Sequence, residues 1–99
     1  MAGFVQIMEI KTSKIDEVEA FAKKMDAERG ASLLSSKATI TADRDRPGTY
    51  LILVEFDSYE AAMKNSNDPE TGRYSQEMAA LLDGPPKFYN LDVRYVLRG

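Results

Sequence analysis

The sequence has no histidine, no cysteine and no tryptophan. Without histidine it lacks the side chain that most often serves as general base near neutral pH. Without cysteine, disulfides, thiol nucleophiles and thiolate metal sites all fall away. A zinc or iron site would have to be built from oxygen alone, and no run of spaced acids resembles a calcium loop, so neither a metal nor another cofactor is expected. Any chemistry must come from carboxylates, amides, tyrosines or the substrate itself. Long apolar runs are also missing, which argues against a membrane span. The opening "MAGFVQIMEIK" lacks a basic leader and a small-residue cleavage site, so it reads as a strand rather than a signal peptide, and the cytoplasm is the default location. Basic residues are outnumbered, 13 against 16 acidic, and scattered along the chain. Phosphate backbones are held by clustered Lys and Arg, so no nucleic-acid partner is expected.

What is present is one globular domain's worth of alternating and helical patterns. Ninety-nine residues, 43% hydrophobic and 29% charged, suffice for a single modest core. "FVQIMEIK" sets Phe4, Gln6, Met8 and Ile10 on one face of a strand and Val5, Ile7, Glu9 and Lys11 on the other. Ile15, Val18, Phe21, Ala22 and Met25 recur at helical spacing, with Ser13 expected as N-cap, Asp16 three residues on, and Gly30 as the closing glycine. "SLLSSKATITA" reads as a second strand, "DRDRPG" as a hairpin connection and "TYLILVEF" as a third strand. Asp57 or Ser58 caps a short helix through Tyr59, Ala62 and Met63, and Asp68-Pro69 opens another that buries Tyr74, Met78, Leu81 and Leu82 before Gly84. "KFYNLDVRYVLR" alternates cleanly and reads as a final strand to Arg98.

The order is β-α-β-β-α-α-β. It predicts an α+β, ferredoxin-like fold: a four-stranded antiparallel sheet with its helices on one face. The first and third strands nevertheless carry apolar residues on both faces. At about 25 cal/mol per Å² of apolar surface, exposing several such side chains forgoes several kcal/mol. A twofold homodimer, sheet against sheet, is the expected remedy.

This order of elements, with "VEFDSYEAAMKNSNDPE" joining the third strand to a broken helix, resembles the dimeric α+β barrel superfamily, and within it the antibiotic-biosynthesis-monooxygenase-like (ABM) domain. The resemblance spans nearly the whole chain as one domain, 1–99. It implies a barrel formed by two facing sheets and a ligand cavity between each sheet and its helices. It also implies activities that include cofactor-independent oxygenation of phenolic polyketides. Fold alone does not fix which activity a member has. Where that family often carries a helical histidine this chain has Asn65, and the downstream aromatic position is Tyr74.

Asn65 and Tyr74 are therefore the candidate catalytic residues, an amide and a phenol able to hold an oxygenated aromatic ligand. Tyr59, Met63, Met78 and Glu9 are the candidate ligand-binding residues, with Glu9 and Glu55 the strand carboxylates that a dry site could turn into a base. A second reading stands beside each of these: Asn65, Ser66 and Asn67 unwind a helix end, the tyrosines are core, and the protein is a non-catalytic dimeric binding module.

Overall fold

The computed structural model describes residues 3–30 and 34–98. The elements run β1 (Phe4–Lys11), α1 (Ile15–Arg29), β2 (Ser35–Ala42), β3 (Thr49–Phe56), α2 (Tyr59–Ser66), α3 (Pro69–Ala79) and β4 (Lys87–Asp92). The strands form one antiparallel sheet in the order β2-β3-β1-β4, the split βαβ arrangement the sequence predicts. No helix among the described residues is long and apolar enough to cross a membrane.

Register decides which side chains share a face. Phe4, Gln6, Met8 and Ile10 pair with Phe56, Val54, Ile52 and Tyr50, so these eight stand on one face. Ala38 and Ile40 of β2 and Phe88 and Asn90 of β4 extend it. This inner face receives the helices. Its core is split into two clusters. Phe4, Phe56 and Ala62 close one end beneath α2, and Ile10, Val18 and Ile52 close the other beneath α1, with Leu81 and Leu82 packed against them. The outer face carries Val5, Ile7, Glu9, Leu51, Leu53, Tyr89 and Leu91, and no helix among the described residues covers it.

Two glycines are required by geometry. At Gly3 a Cβ would collide with the Asp57 carbonyl oxygen, because the chain enters β1 hard against the end of β3. Gly48 has φ +84°, the left-handed conformation that lets the hairpin turn after Pro47.

Several ends differ from the sequence expectations. The α1 helix starts at Ile15 with Lys14 at the N-cap position and no side-chain cap, so Ser13 does not cap it. The hydroxyl at this corner is that of buried Thr12, which accepts from the Lys14 N–H at 2.9 Å and donates to the Leu81 carbonyl at 2.6 Å. Gly30 is right-handed (φ −49°, ψ −43°), its N–H still bonded to the Asp26 carbonyl, and is not a left-handed terminator. The strand β2 begins at Ser35, with a bulge between Ser35 and Lys37, and the expected start at Ser32 and Leu33 lies outside the described residues. Helix α3 stops at Ala79, short of Gly84, although Leu81 and Leu82 still reach the core from the turn that follows. β4 ends at Asp92 rather than Arg98, because its ladder partner β1 begins at Phe4, directly opposite. Beyond it, Tyr95 and Leu97 are 80% and 78% exposed.

Candidate functional site

The two core clusters share Val54, and beside it the sheet and helices leave a gap. The gap is a cavity of about 630 Å³, within the range of small-molecule sites. Its floor is the middle of the inner face, with Gln6, Met8, Ile40, Ile52, Val54 and Phe88. One wall is α1, through Phe21, Ala22, Met25 and Arg29. The opposite wall is α3, through Thr71, Tyr74, Ser75 and Met78, and Asn65 joins from the last turn of α2. Charged side chains of both signs, Glu19, Lys23, Asp26 and Lys37, also border it.

The break between α2 and α3 places Asn65. Ser58 caps α2 by accepting from the Ala61 N–H at 3.1 Å, so this helix has a fixed start. It ends at Ser66. Asp68 is then extended and caps α3, its carboxylate accepting from the Glu70 N–H at 2.9 Å, with Pro69 in the first helical turn. The Asn65 carbonyl accepts from the Asp68 N–H at 3.2 Å, closing the turn. The half-buried Asn65 side-chain amide makes no hydrogen bond among the described residues and lines the cavity. The helix break and the presentation of that amide are one feature.

Tyr74 is held from three sides. Its ring lies 5.7 Å from that of Phe21, the Arg29 guanidinium sits over it at 5.7 Å, and its hydroxyl donates to Glu28 Oε2 at 2.7 Å. That hydrogen bond to Glu28, reinforced by desolvation and the carboxylate charge, holds the phenol above its ordinary pKa. Tyr74 thus stays protonated at neutral pH, with its O–H engaged as donor to Glu28. Towards a ligand its oxygen acts as an acceptor. Arg29 also bonds Asp68 at 3.1 Å and Thr71 at 3.5 Å, and with its side chain 10% exposed it ties the end of α1 to the start of α3.

Of the sequence-predicted site residues, Asn65, Tyr74 and Met78 come together around the cavity. Tyr59, Met63 and Glu9 do not border it. Tyr59 is half-exposed and packs edge-on against Phe4, with ring centroids 5.5 Å apart, and Met63 packs on the same cluster beneath α2. Glu9 stands on the outer face, its carboxylate accepting from the Tyr89 hydroxyl at 3.2 Å and facing Arg46 at 3.5 Å. Glu55 shares that face. Strand alternation separates two sets of residues but does not say which set the helices cover, and both carboxylates belong to the uncovered set. Gln6, Phe21 and Arg29 border the cavity and were not singled out from sequence as site residues. For Gln6 a signal existed: it is the one polar residue on the Phe4–Ile10 face of β1.

No protein-family model matches the sequence, and no curated protein matches it. Solved structures do. A cofactor-independent oxygenase from Streptomyces nogalater superposes with a TM-score of 0.80 at 13% identity, over 100% of both chains. A monooxygenase from Streptomyces coelicolor, solved with nanaomycin D, gives 0.78 at 19% identity over 99% of this chain and 93% of its own. A conserved protein from Methanosarcina mazei gives 0.79 at 10% identity over 95% of each. At such identities the likeness is one of fold, and it extends from end to end. The chain has the ferredoxin-like α+β fold of the antibiotic-biosynthesis-monooxygenase-like proteins.

Proposed function

We propose that the protein is a homodimer that binds a planar, oxygenated aromatic molecule in its cavity and acts on it as a cofactor-independent monooxygenase. The observation that carries this reading is a mainly apolar cavity in which the Asn65 amide has no partner among the described residues. An electron-rich phenolate can itself give electrons to dioxygen. The protein has to hold the ring, stabilise the anion and keep bulk water away. Asn65 supplies N–H donors for a developing oxyanion. The Tyr74 oxygen accepts from a substrate hydroxyl, and Glu28 behind it keeps the phenol oriented. The apolar side chains of Phe21, Met25, Val54 and Phe88 flank a flat ring. The oxygenase likenesses support the same reading. The homodimer rests on the outer face, where Val5, Ile7, Leu51, Leu53, Tyr89 and Leu91 have no helix over them among the described residues of one chain.

One observation favours a second reading, a binding module without catalysis: the Tyr74 proton is already committed to Glu28, and the strand carboxylates lie on the other face. Oxygen uptake with a panel of polyphenols separates the two. The oxygenase consumes dioxygen, and Asn65→Ala lowers its turnover by about a hundredfold, the usual cost of one oxyanion donor. Turnover indifferent to both Asn65→Ala and Tyr74→Phe would rule out the oxygenase. Tight binding without any uptake establishes the module.

A further inference from the structure

The inner face of β1 runs Phe4, Gln6, Met8, Ile10, and its two ends belong to separate core clusters. An apolar side chain at position 6 would continue this face beside Val54, which packs against both clusters. Instead a half-buried carboxamide stands in the middle of the cavity floor, between Val54 on β3 and Asn90 on β4. A polar group there costs stability unless its hydrogen-bonding capacity is met. Only part of it is. The Gln6 Nε2 donates to Asn90 Oδ1 at 3.0 Å, which anchors the amide plane. Its Oε1 and second N–H have no partner among the described residues.

We infer that Gln6 is the specificity-determining residue of the cavity, its Oε1 accepting from a hydroxyl on the edge of a planar aromatic ligand, with Asn90 as the positioning residue that fixes its orientation. This rests on the cavity being a ligand site, as proposed above, and adds which ligands it selects. Acidic and basic side chains are mixed around the cavity, so net ligand charge is a weak criterion. The floor selects instead for a hydrogen-bond donor. A ring system without one leaves the Gln6 oxygen desolvated and unpaired, the arrangement by which buried polar groups reject ligands that cannot match them.

The test compares the binding of a dihydroxyanthraquinone and unsubstituted anthraquinone, followed by fluorescence quenching, in the wild-type chain and in Gln6→Met, Gln6→Leu and Asn90→Ala. The wild-type protein should prefer the hydroxylated compound by about tenfold, the worth of one net hydrogen bond. Gln6→Met and Gln6→Leu should bind both compounds within about twofold of each other, with affinity for anthraquinone retained or improved. Asn90→Ala, at an exposed position, should fold normally and lower the preference by about threefold, since an unanchored amide pays for its ordering on binding. A wild-type preference persisting in the Gln6 variants, or unchanged in Asn90→Ala, overturns the role of Gln6 while leaving the cavity reading intact. If neither compound binds the wild-type protein, both fall together.

Discussion

The two faces of this sheet are made from the same four strands and comparable numbers of apolar side chains, yet they have different fates. On the inner face the helices cover both ends and leave the middle open. On the outer face no described element covers the middle, where Ile7, Leu51 and Leu53 gather around the Glu9–Tyr89 hydrogen bond. Apolar content alone therefore does not mark a core. What distinguishes the faces is what each apolar group meets: side chains of the same chain at the inner ends, a cavity in the inner middle, and on the outer face the second copy proposed above.

Substitutions on each face sharpen the contrast. The largest effect belongs to the inner ends. Ile10→Ala, at a residue 1% exposed, should cost about 2–5 kcal/mol in urea unfolding, as buried aliphatic truncations do, without altering the mass in light scattering. Next comes the outer face. Leu53→Lys places a charge in the proposed interface and should weaken self-association by about a hundredfold, roughly 2.7 kcal/mol, seen as a shift from two subunits to one at micromolar concentration. A wild-type chain that already sediments as one subunit would break the comparison, because the outer face would then be apolar and simply wet.

The smallest effect concerns the cavity wall. The folded-state pKa of Tyr74 is raised by its bond to Glu28, so that bond's stabilisation is intact below the ordinary phenol value of about 10 and is lost as pH rises through the elevated value. Tyr74→Phe should remove this alkaline component from the melting profile, and the phenol step it deletes from an ultraviolet titration should lie above the ordinary value. A deleted step at the ordinary phenol value would show that the hydroxyl bond to Glu28 is absent in solution.

Much of this layout was legible in the residues. Asp68-Pro69 announces a helix start because aspartate accepts a free N–H and proline tolerates the first turn, and the structure has both. The faces of β1 and β3 follow from alternation alone. The misread ends share one physical cause: a strand or helix stops where its partners stop, and local pattern carries no record of that. The alternation after Asp92 continues through Val93, Tyr95 and Leu97, but the ladder with β1 ends at the Phe4–Asp92 pair and Val93 makes a single further bond, to the Gly3 carbonyl. In the same way Tyr59 fits a helical stripe whose cover is a half-exposed corner rather than the cavity. The cavity was legible only through the resemblance, since a void is set by how far helices stand from a sheet. A lone glutamine on a greasy strand face was its nearest local trace.

Arg29 fastens the C-terminal end of α1 to the opening of α3 through Asp68 and Thr71, while it also covers Tyr74. Both cavity walls are thereby riveted at one corner. At the far end the Thr12 hydroxyl donates to the Leu81 carbonyl and Val18 packs with Leu81 and Leu82, so the cavity is a slot whose two helical walls are held at both ends.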